Sequence, residues 1–276
     1  MTGGRVAGAV LLAAVLAAAA APLLAAQNPF DLAHLDLMDS LLPPGSPGFP
    51  LGSDGQGRDV LSAILYGARL SFLVGGLAVG LAALLGMPAG LVAGYAGGWT
   101  DALLMRLADA QLAFPAVLVA LLIDGAARAL LARGRAEALA VPVLVLAIGL
   151  GRWPQFARVV RGAARLARGR DYVAAARLAG VGGGRILFAH VAPNALGPAG
   201  VLFTLSLGLA VLDEATLSFL GVGLPPTRPS LGTLIRVGTE YVLSGQWWTV
   251  VFPALALAVP VLAVNLLGDA LRAARR

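Results

Sequence analysis

Four long stretches of the chain, residues 6–26, 70–100, 186–212 and 241–268, contain no Asp, Glu or Arg. Each exceeds the about 20 apolar residues that an α-helix needs to cross a bilayer. Only 12% of the 276 residues are charged and 59% are apolar, whereas an average soluble domain has about 25% charged residues. The pattern therefore predicts an all-α, polytopic membrane protein, because helices satisfy their backbone groups within lipid.

Two shorter uncharged runs, residues 110–123 and 138–151, are flanked by charged residues. Each has 14 residues, a length that alone favours a buried or re-entrant helix. Extending the first run back through Leu103 and the second on through Trp153 gives enough length, if the flanking charges lie at the membrane interfaces. We therefore expect six transmembrane helices.

The first apolar stretch has two interpretations. Arg5 precedes it and small residues follow Leu24, which is also the pattern of a cleaved signal peptide. The stretch is longer than the usual apolar core of about 7–15 residues, so we expect a retained helix. This divides the chain into a first transmembrane helix (1–26), an extracytoplasmic segment (27–69) and a core transmembrane domain (70–276) with a cytoplasmic loop at 152–193.

The basic residues, all of them Arg, are distributed unevenly over the six-helix arrangement. With the N-terminus inside, residues 1–5, 95–109, 152–185 and 269–276 hold 13 of the 20 Arg. This agrees with the excess of basic residues in cytoplasmic loops and predicts cytoplasmic N- and C-termini. The predicted outer segment 124–137 disagrees, because it contains Arg128, Arg133 and Arg135.

Enzyme signatures are missing from the sequence. The chain has no Lys and no Cys, which removes a P-loop, Schiff-base chemistry and thiolate metal sites. His34 and His190 are far apart, and the adjacent carboxylates Asp213 and Glu214 point about 100° apart on a helix. We expect no catalytic site, no metal site and no nucleic-acid partner, although an intramembrane enzyme or a non-transporting scaffold remains an alternative.

The predicted cytoplasmic loop contains a second helix signal. Four Arg share one helix face, because they are spaced three and four residues apart: Arg158, Arg161, Arg165 and Arg168. Lipid headgroups are the simplest partners for them. A helix of strong formers then begins at Asp171 and is stopped by Gly180. Residues 182–184, all Gly, indicate a loose joint. A short helix between two spans suits the docking of another protein.

Four blocks in order resemble the second permease of the dipeptide/oligopeptide/nickel group of ABC importers, from about residue 50 to the end. The most specific is DYVAAARLAG at 171–180, which with RI at 185–186 and HVAPNALGP at 190–198 resembles the EAA loop of these permeases. The other blocks are GSDGQGRDVLS at 52–62 with YGAR at 66–69, EATLSFLGVG at 214–223 with the prolines that follow, and NLLGDALR at 265–272.

The resemblance implies a type I importer fold and a loop that couples the chain to an ATPase. The coupling residues it implies are Asp171, Tyr172, Ala174, Ala175, Ala176, Arg177, Gly180 and Pro193. Two positions depart from the family pattern, because Ala174 replaces its Glu and Ala192 replaces the Leu before its Pro. The first departure removes a carboxylate from the loop and leaves the helix intact.

The resemblance also implies partners and a location. These are a sister permease, most simply a different chain, two cytoplasmic ABC ATPases that bind the ATP, and an extracytoplasmic substrate-binding protein, in a bacterial or archaeal cytoplasmic membrane. The chain itself would hold no cofactor. Peptides are the expected cargo, and nickel or a nickel chelate is the alternative.

Three residues outside the loop are singled out for local roles. Asp59 is the expected N-cap of a helix at 60–69, which is either an interfacial helix or the lead-in to the second span. Trp247 and Trp248 fit an interfacial aromatic anchor. Asn265 is a candidate for the substrate pathway, although an interhelical hydrogen bond explains an intramembrane Asn as well.

Overall fold

A computed structural model describes residues 2–31, 36–130, 139–225 and 227–273. In these residues the secondary structure is helical, with two isolated β-bridges and no strand, so the all-α prediction is confirmed. The described helices of eight or more residues are α1 (Thr2–Ala19), α2 (Val60–Ala96), α3 (Gly98–Ala113), α4 (Ala116–Leu130), α5 (Ala140–Arg168), α6 (Asp171–Leu178), α7 (Gly197–Phe219), α8 (Leu231–Val242) and α9 (Trp248–Ala273).

Helix α2 begins at the predicted cap. Asp59 Oδ2 accepts hydrogen bonds from the Ser62 N–H at 2.8 Å and the Ser62 hydroxyl at 2.6 Å. Of the two interpretations of 60–69, the structure has the lead-in to the second predicted span, because these residues begin α2, which continues for 37 residues to Ala96. The charge of Arg69 marks a change in polarity and does not interrupt the backbone hydrogen bonds, so the helix runs on to Gly97, where φ is +69°.

Helices α2 and α5 form the centre of the bundle through direct backbone contact. Three glycines spaced four residues apart on α2 face α5. A Cβ atom on any of them would overlap a carbonyl oxygen of α5; the pairs are Gly86 with Trp153, Gly90 with Ala157, and Gly94 with Arg161. Since lipid gives helices little hydrophobic drive to associate, such close packing of small residues holds membrane helices together.

The predicted span at 110–123 is broken in two. Helices α3 and α4 meet at an angle of 86°, with the break at Phe114 and Pro115. Proline cannot continue the hydrogen bonding of the preceding helix, and it disfavours the helical conformation for the residue before it. Phe114 accordingly has φ −94° and ψ 131°.

Two predicted spans have different ends in the structure. The stretch 186–212 contains three short helical turns up to Ala195, and the long helix α7 starts at Gly197 and continues through Asp213 and Glu214. Pro198 lacks the N–H that would bond to residue 194, so the helix restarts there. Tyr241 belongs to α8, and a turn at Gly245, with φ +93°, precedes α9.

Among the described residues, four helices are long and apolar enough to cross a membrane: α2, α5, α7 and α9. The short run at 138–151 therefore does belong to a spanning helix, α5. The bent pair of α3 and α4 raises the number to five if it counts as one broken span, and α1 is a shorter apolar helix. The chain is a helical protein of several candidate spans.

Helix α1 runs antiparallel to α9. A Cβ on Gly4 would lie 2.5 Å from that of Ala270, and one on Gly8 would lie 3.7 Å from Leu267, while Ala18 packs in the same apolar cluster as Trp248. The two ends of the described chain therefore lie at one end of the bundle.

A capped helix, a buried loop and an ion pair inside the bundle

The structure forms the short helix that the sequence predicts. Helix α6 spans Asp171–Leu178. Val173 is fully buried in an apolar cluster with Val160, Ile186 and Val191, from α5 and the turns that follow α6. One side chain thus anchors an otherwise exposed helix to the bundle.

Gly180 ends α6 in the predicted way. Its φ is +75°, a conformation that glycine adopts without strain. The Val181 N–H donates to the Ala176 carbonyl and the Gly180 N–H donates to the Arg177 carbonyl, both at 3.0 Å. This is a Schellman motif, and its apolar contact is supplied by Val181 and Ala176, which pack together on the same cluster.

The candidate coupling residues are mostly exposed. Ala176 is half-buried, whereas the exposed members are Asp171, Tyr172, Ala174, Ala175, Arg177, Gly180 and Pro193. Leu178 is 91% exposed. Sequence reasoning missed Leu178, although a leucine beside Arg177 at the end of a short helix was a visible signal.

Arg177 turns back onto the bundle. Its guanidinium carbon lies 5.9 Å from the ring centroid of Tyr95, near the end of α2, within the range of a cation–π contact. Tyr95 has no motif around it, so sequence reasoning could not predict this role. The contact links α6 to the helix that forms the centre of the bundle.

We call residues 169–196 the α6 loop. After α6, Gly183 and Gly184 begin a short helix, Gly183–Ile186, so the loose joint is wrong at those two residues. A π-helical turn at Leu187–Val191 and a turn at Ala192–Ala195, which contains Pro193, follow. A cleft of about 570 Å³ separates α5, α6 and the start of α7; among its lining residues are Leu166, Arg170, Tyr172, Asn194 and Pro198.

Of the four Arg that share one face of α5 after Arg152, most bind protein groups. Arg161 donates to Asp101 at 2.5 and 2.7 Å, and Arg158 donates to Asp109 at 2.6 Å, both on α3. Arg168 donates to the Ala96 carbonyl at 3.3 Å. Three of the four thus have a protein partner, and the first part of the predicted loop 152–193 is helical, because α5 continues to Arg168.

Arg152 and Asp213 form an ion pair between α5 and α7. Arg152 Nε and an Arg152 terminal nitrogen donate to Asp213 Oδ2 at 2.8 and 2.5 Å. The sequence assigned these residues to opposite sides of the membrane, which is wrong. The error arises because hydropathy ends a span at each charge, whereas two opposite charges can share a place inside the bundle.

Glu214 has different partners from its neighbour. It is fully buried and accepts a hydrogen bond from the Ser218 hydroxyl at 2.7 Å, with Ser71 and Ser230 as further polar neighbours. Ser230 caps the start of α8 by accepting from the Thr233 N–H. The two adjacent carboxylates thus face apart, as expected.

Residues 36–59, which we call the 36–59 loop, fold onto the opposite end of the bundle. Asp54 Oδ2 accepts from Arg58 Nε at 2.8 Å, and its Oδ1 accepts from the N–H groups of Gln56 and Arg58 at 2.8 and 3.0 Å. The Ser53 carbonyl accepts from Trp248 Nε1 at 3.1 Å. Trp248 is therefore buried against this loop, and only Trp247 remains exposed as an aromatic anchor.

Asn265 is half-buried in α9, and its side chain makes no hydrogen bond with the described residues.

The predicted outer segment 124–137 contains three Arg. Arg128 donates to Asp124 at 2.6 Å and to the Gly223 carbonyl at 3.2 Å, while Arg133 and Arg135 lie outside the described residues, as does His34. The described residues contain no group of three His, Cys, Asp or Glu placed to hold a metal.

Residues 86–275 match the family described as "Binding-protein-dependent transport system inner membrane component". They include the whole α6 loop and the ion pair. The chain therefore belongs to this family of membrane components of transport systems, which confirms the resemblance in its sequence and its role as a transport subunit rather than an enzyme.

Relatives across the chain are transport permeases. The chain is 38% identical over 268 residues to the di/tripeptide transport system permease protein DppC of Pseudomonas aeruginosa, covering 95% of this chain and 84% of the relative. It is 40% identical over 240 residues to the dipeptide transport system permease protein DppC of Escherichia coli, covering 85% and 76%. It is 35% identical over 245 residues to the glutathione transport system permease protein GsiD of Pectobacterium atrosepticum, covering 88% and 77%.

Proposed function

We propose that this chain is a permease subunit of an ATP-driven importer of dipeptides or short oligopeptides. The observation that supports it most is α6, a capped helix anchored by Val173 with its other faces exposed at the end of the bundle. The names of the three relatives support peptides as the cargo, and nothing in the described residues favours nickel.

The transport cycle follows from the α6 loop. Two ATPases bind and hydrolyse ATP, which this chain cannot bind through a P-loop because it has no Lys. One of them receives the exposed face of α6, including Asp171, Ala174 and Ala175. The closed ATPases bind one of two permease states more tightly than the other, and this difference in affinity switches the pathway between its outward- and inward-facing states.

The proposed assembly has a sister permease, which is a different chain, and a substrate-binding protein at the end that carries the 36–59 loop. The residues proposed for coupling are those given above, from Asp171 to Gly180 with Pro193, and Asn265 remains a candidate for the pathway. Arg177 acts indirectly, because its contact with Tyr95 orients α6.

The proposed topology has six transmembrane helices with α1 and the bent pair of α3 and α4 included, and both termini on the cytoplasmic side. The antiparallel contact of Gly4 with Ala270 places both ends of the described chain together, at the end that carries α6. The packing of α1 against α9 supports a first helix that is retained.

Charge substitution in α6 tests the assignment. Ala175→Glu adds a carboxylate to an exposed position of α6, so the ATPases should no longer co-purify with the permease and uptake should be lost. Leu243→Glu adds the same charge at the opposite end of the bundle, where Leu243 is 99% exposed, and should leave ATPase association intact. Normal association and uptake with Ala175→Glu would refute the docking role.

A further inference from the structure

The ion pair of Arg152 with Asp213 lies well inside the bundle. Arg152 is twelve residues from the start of α5, about 18 Å along the helix axis, and Asp213 is six residues, about 9 Å, before the end of α7. Both helices are long and apolar enough to span a membrane. Charged residues at such depth are costly and face a bundle interior or a water-filled cavity.

The two partners are not equally accessible. The Arg152 side chain is 9% exposed, whereas that of Asp213 is 33% exposed. Both guanidinium hydrogen bonds go to Asp213 Oδ2, and Oδ1 accepts no hydrogen bond from the described residues. Since a carboxylate oxygen directed at hydrocarbon is strongly unfavourable, this side of Asp213 requires a polar neighbour, either water or a group of another chain.

The accessible face extends along both helices. On α7, helical spacing places Leu209 and Thr216 beside Asp213; both are exposed, as is Leu220 just past the end of the helix. On α5, Val159 is exposed and Ala163 half-buried seven and eleven residues after Arg152, on the same side of the helix. Ala163 lines the cleft beside α6, so Val159 and Ala163 lie between the ion pair and the α6 loop, with the buried Phe156 between Arg152 and Val159.

We propose that this face of α5 and α7 lines the water-filled transport pathway, and that Asp213 Oδ1 accepts a hydrogen bond from the charged amino terminus of the passing peptide. The inference rests on the proposed function and adds a contact for the substrate. Arg152 is a positioning residue, because it is nearly buried and holds Oδ2. By sharing the carboxylate, it keeps the site weak enough to release the peptide, as conduction requires.

The pathway itself is tested by thiol accessibility, because the chain has no Cys. In the complete importer in proteoliposomes, Thr216→Cys should react with a charged, membrane-impermeant methanethiosulfonate. Thr216 is exposed, and its hydroxyl bonds only to the Leu212 carbonyl of its own helix, so the substitution removes no contact between helices. The control is Leu12→Cys, which is exposed on α1 and should not react.

Thr216→Cys that is as unreactive as Leu12→Cys would overturn the pathway assignment, whatever the cargo is. Uptake of labelled alanyl-alanine by the unmodified importer tests the proposed function separately. If Thr216→Cys reacts but the importer takes up no peptide, the assignment of this face to the pathway stands. The same result would refute both the peptide cargo and the contact with the amino terminus.

The contact with the amino terminus is tested by Asp213→Asn and Asp213→Glu. We expect Asp213→Asn to raise the KM for alanyl-alanine uptake about tenfold and to abolish protection of Thr216→Cys by this peptide, and Asp213→Glu to restore most of both. The double substitution Arg152→Gln with Asp213→Asn removes the ion pair without leaving a buried charge. It should show the same rise in KM and the same loss of protection as Asp213→Asn. Asp109→Asn, which breaks the exposed pair with Arg158, is the control with normal uptake. An unchanged KM in Asp213→Asn, or loss of uptake in Asp213→Asn and Asp213→Glu alike, would refute the contact.

Discussion

The two ends of the bundle are built in opposite ways. The 36–59 loop is fixed by buried polar groups, with Ser53, Asp54, Arg58 and Asp59 all inside the protein. Helix α6 is held by the buried Val173, a glycine cap and a ring contact, and the turns after it are buried at Ile186 and Val191. Both ends expose large apolar side chains, Leu178 and Phe188 in the α6 loop and Leu37 and Met38 in the 36–59 loop, so the difference between the ends lies in how each is held.

This difference has a consequence for the energetics of each end. Buried, directional bonds resist small displacements and are costly to break singly. A helix with one anchor can move as a unit while its own hydrogen bonds stay intact. We therefore expect the 36–59 loop to carry stability and the α6 loop to carry the motion that responds to ATP.

The largest expected effect comes from Arg58→Ala in the 36–59 loop. The change leaves the buried Asp54 carboxylate without its ion-pair partner, which typically costs about 3–5 kcal/mol. Thermal unfolding of the purified membrane complex measures the loss. The control is Arg228→Ala, an exposed arginine at the same end, which should stay within about 0.5 kcal/mol of the unmodified protein. Equal effects of the two changes would show that this end is not held by its buried pair.

A matched pair of glycines compares the two ends directly. Gly52 has φ +82°, and a Cβ there would lie 2.7 Å from the Leu42 carbonyl oxygen and 2.8 Å from Trp248 Nε1; Gly180 has φ +75° and nothing within 4 Å. Gly180→Ala should cost about 1 kcal/mol from backbone strain alone. Gly52→Ala adds overpacking and should cost about 2–4 kcal/mol in the same unfolding assay. A larger loss for Gly180→Ala would reverse the comparison.

Val173→Ala removes the single anchor of α6. We expect local destabilisation of about 2 kcal/mol, since a buried apolar side chain is truncated and a cavity remains. Hydrogen exchange of the α6 amides should accelerate more than tenfold, while the amides of the 36–59 loop keep their protection. ATP hydrolysis should then proceed with less uptake per ATP. Unchanged exchange in α6 would mean that other contacts anchor it.

The smallest expected effect belongs to the contact of Arg177 with Tyr95. Tyr95→Leu removes the ring face and should weaken α6 protection by about 0.5–1 kcal/mol, while Tyr95→Phe retains it. A double-mutant cycle with Arg177→Gln isolates the coupling. Additive effects of the two substitutions would exclude an interaction between these side chains.

Local signals predicted the features that depend on neighbouring residues. Asp59 caps α2, α6 begins at Asp171, and Gly180 ends it, because capping and left-handed backbone are determined within a few residues. The break before Pro115 was also present in the sequence as a proline inside an apolar run. A count of charges does not detect this break, because Pro115 removes a backbone donor and leaves the run uncharged.

The missed features depend on tertiary contact. Hydropathy placed Arg152 and Asp213 at opposite membrane faces, because it treats each charge singly and has no knowledge of a partner 61 positions away. The contact of Arg177 with Tyr95 and the burial of Trp248 by Ser53 depend equally on distant segments. Span ends defined by charged residues were wrong at α7 for the same reason.

Site-specific photo-crosslinking in intact cells tests most directly whether the α6 loop receives the ATPase. A photoreactive phenylalanine analogue is placed at Leu178 or at Leu243, which are 91% and 99% exposed at opposite ends of the bundle. We expect the probe at Leu178 to crosslink to an ATPase subunit and the probe at Leu243 not to. Absence of an ATPase crosslink at Leu178, or its presence at Leu243, would contradict the claim that the α6 loop receives the ATPase.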